Sequence, residues 1–285
     1  MQALVHGLER VSLQKTRYST CLQAAAPYQE ALMQDVPIII GGFFRSGTSL
    51  VRRLLDSHSR IHCGPEVKFF RDFNGDYKDD SFAHLRLFST ARTFGLPDAE
   101  LLAIFGNAFI SFHERAAALA GKARWADKNP ENVLYLENWR TLLPGGFCFI
   151  HVIRHPLDAL ASLKESPFPK TIPAAFSDKA QLYKAYRDAG DIYSDAVPEA
   201  SITIKYEDLV STPEHTLQTL FEFLGEPFES DVLDKFHLPE RGQGIEDPKV
   251  ARPRAIHSDS IGSWTSRLSP DEIATATEIL KPFLG

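Results

Sequence analysis

The chain has 285 residues, of which 44% are hydrophobic and 24% are charged, proportions typical of a folded globular protein. Its 37 acidic residues outnumber its 31 Lys and Arg residues, which gives a net charge of −6. Nucleic-acid-binding proteins usually present a basic face, so a nucleic-acid partner is not expected. Any cationic site for a nucleotide must then be local.

Neither a membrane span nor a secretion signal is expected. The sequence contains no run of about 18 apolar residues, the length that a membrane helix needs. Residues 1–20 carry charges throughout and lack the apolar centre of a signal peptide. The cysteines (Cys21, Cys63 and Cys148) are too few and too scattered for a disulfide framework or a zinc site. These features predict a cytoplasmic protein without a structural metal.

Strands and helices are predicted to alternate along the chain. Residues 1–35 have the spacing of an amphipathic helix. Strands are predicted at 37–41, near 125, at 147–153 and at 201–205, and residues 61–70 are predicted to form a short strand and a turn. Helices are predicted at 48–58, 98–120, 130–139, 156–164, 181–196, 213–225 and 270–281. The alternation indicates a three-layer α/β/α fold with a mostly parallel central sheet, formed by one domain over residues 1–285.

Two segments interrupt the alternation and are predicted to form the acceptor side. Residues 71–125 are a loop and helix insertion. Residues 165–180 contain three prolines and are predicted to be a flexible lid or a substrate loop. Both segments are rich in phenylalanine, which is more consistent with an ordinary core than with an acceptor pocket.

Residues 38–49, IIIGGFFRSGTS, join a buried strand to a loop of small residues and to the start of a helix. In such a junction, free backbone N–H groups and the helix dipole point at one spot and can bind an anion. A Walker A loop has lysine after its last glycine, whereas Thr48 follows Gly47 here. The cation of this loop is Arg45, which can clamp an oxyanion bidentately.

A P-loop kinase or ATPase is therefore a weaker alternative. The loop lacks the lysine that grips the γ-phosphate of ATP, and no clear Walker B strand ending in a magnesium-binding aspartate is found. A non-catalytic nucleotide-binding protein is a second alternative.

Three more segments accompany the loop. Arg154 ends the strand at 147–153, and Ser162 follows it by eight residues in the next helix. Tyr206 lies in ITIKYEDLV, and Trp264 lies in IGSWTSRLSP. In this order, the four segments resemble those of sulfotransferases that use 3′-phosphoadenosine-5′-phosphosulfate (PAPS), from residue 38 to residue 270.

The resemblance implies a P-loop NTPase-like sulfotransferase fold and a set of PAPS-binding residues. The loop donors at the 5′-phosphosulfate would be Arg45, Ser46, Gly47, Thr48 and Ser49. Arg154 and Ser162 would bind the 3′-phosphate, and Tyr206 would lie near the adenine. Trp264 is as consistent with a core position as with stacking on the adenine.

The resemblance also implies the catalytic residues. Lys128, within Asp-Lys-Asn-Pro, looks like the lysine that tyrosylprotein sulfotransferases place near the bridging oxygen. Glu66, within Cys-Gly-Pro-Glu, matches the position of their glutamate base. A carboxylate near an acceptor hydroxyl can take its proton as the new bond forms. The predicted reaction is an in-line sulfuryl transfer to a hydroxyl acceptor, with Glu66 as base, Arg45 and Lys128 stabilising the leaving phosphate, and no metal.

The acceptor stays open among a small molecule, a sugar, a lipid and a peptide tyrosine. Cytosolic sulfotransferases use a histidine base, but the available histidines, His84, His113 and His151, match no motif of that group. A pairing of Glu66 with Lys68 or Arg71 is the purely structural alternative for this carboxylate.

Two features depart from the family patterns. The Arg-Lys pair that grips the 3′-phosphate in cytosolic members is missing before Gly262, and Arg252, Arg254 or Arg267 would have to replace it. The cysteine that would pair with Cys63 is replaced by Ala126, so the disulfide of the tyrosylprotein enzymes is not expected.

Overall fold

A computed structural model describes residues 36–75, 82–164, 172–237 and 255–284. Its centre is a five-stranded sheet in the order β2-β3-β1-β4-β5, in which every neighbouring pair is parallel. The strands are β1 (Ile38–Gly42), β2 (Ile61–Cys63), β3 (Arg124–Lys128), β4 (Cys148–Ile153) and β5 (Ser201–Lys205). This sheet confirms the predicted parallel α/β fold.

Helices cover both faces of the sheet. In the described ranges they are α1 (Thr48–Asp56), α2 (Phe69–Asn74), α3 (Phe82–Arg92), α4 (Asp98–Leu119), α5 (Leu136–Leu142), α6 (Pro156–Lys164), α7 (Phe176–Ala196), α8 (Tyr206–Ser211), α9 (Pro213–Leu224), α10 (Val232–Lys235), α11 (Trp264–Arg267) and α12 (Pro270–Leu280). Short 3₁₀ helices are formed by Pro130–Leu134, Pro198–Ala200 and Lys281–Phe283. None of the helices in the described ranges is both long and apolar enough to span a membrane.

Alternate side chains of the strands enter two separate cores, because successive residues of a strand point to opposite faces of the sheet. Ile39 and Phe149 join the core beneath α4, α6 and α7. Ile38, Ile40 and Ile150 join the core beneath α1 and α9. Parallel strands that are covered on both faces need continuous apolar sequences, and the run of three isoleucines in β1 meets this need.

The central strand β1 lies between β3 and β4. After β1 the chain forms β2 and β3 on one side of it, and then β4 and β5 on the other side. Ligands of open α/β sheets bind at such a reversal, outside the carboxyl ends of the strands. Residues 43–47 leave the end of β1 there, Lys128 ends β3, and Arg154 follows β4. The candidate functional residues therefore lie at one edge of the sheet.

Most predicted elements are confirmed within one to three residues, but the predicted lid is partly wrong. Residues 176–180 belong to α7, which begins at Phe176 instead of residue 181. The last proline of the segment, Pro173, precedes this helix and so does not interrupt it, and Ala180 is fully buried in the core. Residues 165–171 and the predicted helix within 1–35 lie outside the described residues.

Two further predictions need correction. The segment after β3 forms a 3₁₀ helix over Pro130–Leu134 before α5 begins at Leu136, so the predicted single helix is split. Helix α2 begins at Phe69, inside a segment predicted to be a turn. The phenylalanines of this region mostly serve the core, as Phe69, Phe70 and Phe73 are buried.

Gly190 lets α7 approach β4 closely. A Cβ atom at this position would lie 2.3 Å from two atoms of the His151 ring, which is itself buried. We expect Gly190→Ala to lower the free energy of unfolding by about 1–3 kcal/mol through overpacking, although alanine is the better helix former. Urea unfolding followed by circular dichroism measures this change.

Gly145→Ala is the matched control, because a Cβ atom there would have no neighbour within 4 Å. Its stability should stay within about 0.5 kcal/mol of wild type. An unchanged or raised stability of Gly190→Ala would contradict the close approach of α7 to the sheet.

Candidate active site

The loop after β1 has an unusual backbone. Gly42 and Gly47 have φ angles of 153° and 97°, and Arg45 has a φ of 66°. Arg45 is the only non-glycine residue with positive φ in the described ranges. A left-handed arginine costs about 1–2 kcal/mol, so neighbouring contacts must hold it. A Cβ atom on Gly47 would lie 2.6 Å from the ring of Tyr206, which explains why glycine is needed there.

Buried polar atoms without hydrogen-bond partners lie in this loop and directly after β4. Among the described residues, no hydrogen bond is made by Ser46 Oγ, Arg154 Nε or His155 Nδ1. Gly47 is the N-cap residue of α1, and no side-chain hydrogen bond from this position caps the first backbone N–H groups of the helix. Since buried polar groups are normally satisfied, these atoms together with the α1 N-terminus indicate a site for an anionic ligand.

Arg154 connects the loop to the C-terminal segment. Its Nη1 donates to the carbonyl of Arg45 at 2.9 Å, and its Nη2 donates to the carbonyl of Ser260 at 2.9 Å. The guanidinium lies 4.4 Å from the centroid of the Tyr206 ring, and the Tyr206 hydroxyl is 2.7 Å from Ser260 Oγ. Arg154 is only 6% exposed, so it is not a solvated arginine at the end of a strand.

Arg45 and Ser162 are in direct contact. Arg45 Nε donates to Ser162 Oγ at 3.0 Å, across 117 residues of sequence. The sequence predicts that the two residues bind different phosphates of one nucleotide, and the structure brings their side chains into contact. Ser162 lies on the buried side of α6, whose N-terminus follows Arg154.

Lys128 and Glu66, the predicted cation and the predicted base, form an ion pair between Nζ and Oε1. Lys128 Nζ also lies 3.2 Å from Ser49 Oγ, in the first turn of α1. Lys128 is 2% exposed, which excludes a solvated turn lysine. The predicted base, the predicted catalytic cation and the loop are therefore adjacent.

An alternating chain of charges extends from this pair. Lys68 bridges Glu66 at 2.8 Å and Glu131 at 2.9 Å, and Glu131 also accepts from Arg71 at 2.6 Å. Sequence reasoning considered Lys68 and Arg71 only as structural partners of Glu66 and missed Glu131. The Glu131 carboxylate lies between the two cations, an arrangement that the helical spacing of residues 68–71 alone could not reveal.

The neighbouring lysines of this row of charged side chains control the ionisation of Glu66. Burial of the carboxyl group opposes its ionisation, but Lys128 and Lys68 outweigh that effect and lower the pKa of Glu66 from 4.5 to about 2. Burial likewise opposes the ionisation of Glu131, whose pKa is nevertheless lowered by Lys68 and Arg71. In this state Glu66 is a weak base with two ion-pair partners.

A buried network fixes the end of β3 that carries Lys128. Asp127 Oδ1 accepts from the side-chain amides of Asn129 and Asn132, both at 2.8 Å. Asn132 also donates to the carbonyl of Ile40 in β1 at 3.0 Å and accepts from Trp139 at 3.2 Å. These bonds tie the turn after Lys128 to the central strand, so the position of the lysine is set by the core.

The alternative histidine bases lie inside the core. His113 is 4% exposed and stacks on Trp125, and His151 is 1% exposed. Burial, together with the smaller effect of the Arg187 charge, lowers the pKa of His151 to about 3. Neither ring can reach an acceptor, and the side chain of His84 lies outside the described residues.

The remaining predicted residues are placed as follows. The ring of Trp264 is partly buried and lies 6.2 Å from the His155 ring. Arg267 is exposed, whereas Arg252 and Arg254 lie outside the described residues. Cys63 is a buried free thiol and lies directly opposite Ala126 in the neighbouring strand.

Residues 37–230 match the model of the sulfotransferase family. The chain belongs to this family. Family membership makes the protein a sulfotransferase that depends on PAPS, and it decides against the kinase and non-catalytic alternatives.

Several relatives of this sulfotransferase are similar over most of its length. It is 26% identical to protein-tyrosine sulfotransferase 1 of Danio rerio, over 88% of this chain and 72% of that protein. It is 27% identical to protein-tyrosine sulfotransferase 1 of Homo sapiens, over 96% and 76% respectively. Nodulation protein NoeE of Sinorhizobium fredii is 25% identical, over 84% of this chain and 62% of that protein.

Solved structures share the fold. The sulfotransferase domain of the Synechococcus PCC 7002 olefin synthase superimposes with a TM-score of 0.55 at 18% identity, covering 89% of this chain and 98% of that chain. The sulfotransferase domain of the curacin biosynthetic pathway gives 0.50 at 17% identity, covering 87% and 96%. The predicted P-loop-like sulfotransferase fold is confirmed.

The lowered pKa of Glu66 predicts a pH-dependent contribution to stability. The ionised carboxylate stabilises the fold fully above pH 4.5, and the contribution is lost as the pH falls toward 2. We expect the difference in free energy of unfolding between wild type and Glu66→Gln to shrink by up to about 3 kcal/mol over this range. Urea unfolding at pH values from 6 to 2.5 measures it.

Glu214→Gln supplies the control, because Glu214 is exposed on α9. Charges in solvent contribute little to stability, so its difference from wild type should be small at every pH. A Glu66→Gln difference that stays constant between pH 6 and 2.5 would show that the carboxylate is not held by Lys128 and Lys68.

Proposed function

We propose that this sulfotransferase moves the sulfuryl group of PAPS in line to an acceptor hydroxyl, with Glu66 as general base. Arg45 and Lys128 stabilise the charge that develops on the leaving phosphate. The observation that carries this proposal is the position of Lys128, which contacts both Glu66 and Ser49 of the loop. The base and the cation are thus adjacent to the proposed anion site.

The donors around the loop fit PAPS. Ser46 Oγ and Arg154 Nε are buried and have no partner among the described residues, and the N-terminus of α1 adds backbone donors. Arg45, Ser46, Gly47, Thr48 and Ser49 would hold the 5′-phosphosulfate, and Arg154 and Ser162 would hold the 3′-phosphate. Tyr206 would lie beside the adenine. When bound, PAPS supplies the electrophilic sulfuryl group and the leaving phosphate.

The ion pair links the two catalytic roles. Lys128 can turn toward a leaving oxygen only by loosening its contact with Glu66. That change leaves Glu66 with Lys68 alone and raises its pKa, because an opposite charge has moved away. One displacement of the ammonium group therefore frees the cation and strengthens the base.

The acceptor that we propose first is a phenolic hydroxyl such as that of tyrosine. Two of the relatives are named protein-tyrosine sulfotransferases. The Phe44 ring is partly exposed on the loop and lies 6.0 Å from Lys68 Nζ, next to Glu66. An aromatic acceptor can pack on such a ring while its hydroxyl points to the carboxylate.

We expect the protein to bind adenosine 3′,5′-bisphosphate (PAP), the nucleotide product, with micromolar affinity that is independent of Mg²⁺. The loop offers an arginine and backbone donors for an anion and lacks the lysine of a Walker A loop. Calorimetric titration with and without Mg²⁺, and with ATP as the control ligand, measures this affinity. Absent PAP binding, or stronger binding of Mg-ATP, would contradict the proposed nucleotide site.

Substitutions should separate chemistry from nucleotide binding. Glu66→Gln removes the base, so we expect turnover of a tyrosine peptide with PAPS to fall about 10²–10⁴-fold while PAP affinity stays within about threefold. Arg154→Met removes the cation proposed for the 3′-phosphate and should weaken PAP binding at least tenfold. Sulfate-transfer assays and calorimetry on both variants measure the two effects.

Glu137→Gln is the control, since this glutamate lies on α5 and pairs with Arg140 on the surface. It should leave both quantities unchanged. Near-normal turnover of Glu66→Gln would show that another group is the base. If only the tyrosine peptide is inactive, assays with simple phenols and alcohols identify the acceptor class.

A further inference from the structure

Asp158 is a buried carboxylate that the proposed mechanism does not use. It lies in the first turn of α6, four residues after Arg154, and is 1% exposed. Its partners are not on its own helix. They lie within residues 262–264, more than 100 residues further along the chain, where α11 begins.

Three hydrogen bonds converge on this carboxylate. The Gly262 N–H donates to Oδ2 at 2.8 Å, and the Trp264 N–H donates to Oδ1 at 3.0 Å. The Ser263 hydroxyl donates to Oδ1 at 3.1 Å. Bonds from neutral donors to a charged acceptor are among the stronger hydrogen bonds of proteins, particularly when buried.

The segment held by Asp158 contacts the proposed nucleotide site directly. Ser260, two residues before Gly262, accepts from Arg154 through its carbonyl and bonds to the Tyr206 hydroxyl through its Oγ. Gly262 has a φ of 71°, and this left-handed turn connects the bonds at Asp158 to the contacts at Arg154 and Tyr206. The position of one wall of the site thus depends on a carboxylate that does not line it.

We propose that Asp158 is a positioning residue for nucleotide binding, and that it acts by holding residues 260–264 against Arg154 and Tyr206. This inference rests on the proposed function of that site. Arg154 donates one N–H from each terminal nitrogen to a backbone carbonyl, which leaves its Nε, without a partner among the described residues, for a 3′-phosphate. The tether at Gly262 and Trp264 keeps the Ser260 carbonyl in place, and with it the orientation of the guanidinium.

Asp158→Ala tests the proposal. We expect it to bind PAP about 10- to 100-fold more weakly than wild type, the loss that corresponds to hydrogen bonds with a charged group. Asp158→Asn keeps one acceptor oxygen and should lose less. Calorimetric titration with PAP gives the affinities, and thermal unfolding shows whether each variant is folded.

Amide hydrogen exchange separates positioning from a general loss of stability. In Asp158→Ala without nucleotide, exchange should accelerate within residues 255–264 and stay unchanged in β1 and β4. Glu226→Gln is the matched control, because Glu226 is also a buried carboxylate and pairs with Arg60 and Arg124. Arg124 begins β3, at the opposite end of the strand from Lys128. Glu226→Gln should lower stability without changing PAP affinity.

The outcomes are distinguishable. Equal PAP affinity of wild type and folded Asp158→Ala would overturn this inference alone. Absence of PAP binding by wild type would overturn the proposed function and this inference with it. If Asp158→Ala does not fold, Ser263→Ala removes a single bond to the carboxylate, and it should weaken PAP binding about two- to fivefold. Unchanged affinity in that variant and in Asp158→Asn would overturn the inference.

Discussion

The arrangement of the site depends on the placement of β1 between β3 and β4. Three consecutive isoleucines are excluded from water on both faces of this strand, which fixes it at the centre of the sheet. Its parallel neighbours end at the same edge, so the loop after β1, Lys128 and Arg154 meet although up to 109 residues separate them. Moving β1 by one position in the sheet would separate these groups.

Several buried charged side chains lie at that edge of the sheet, in a protein whose net charge is −6. Burial of isolated charges is costly, and the chain from Lys128 through Glu66, Lys68 and Glu131 to Arg71 avoids this by alternating sign. Such a chain is sensitive to any change in one member, because the loss of a partner leaves a buried charge unpaired. An anionic ligand at the proposed site would be such a change, because it would compete with Glu66 for Lys128.

At the proposed nucleotide site, one arginine also makes several contacts. Arg154 bonds to two backbone carbonyls and stacks on Tyr206, so it organises the loop and the C-terminal segment before any ligand arrives. Its third nitrogen and Ser46 Oγ stay without partners in the described part of the chain. Preorganised donors of this type favour the binding of a highly charged nucleotide, since little reordering is needed.

The sequence by itself determined the local elements and the residue types of the site. The apolar runs predicted the strands, and the small-residue loop with Arg45 predicted the anion site, because both signals depend on neighbours along the chain. The tertiary structure alone decided three sets of contacts. It pairs Lys128 with Glu66, and it places Glu131 between Lys68 and Arg71. It also brings the Asp158 carboxylate to the backbone N–H groups of Gly262 and Trp264. These contacts join segments 60 to 106 residues apart, and no local pattern encodes which charges meet once the sheet has ordered its strands.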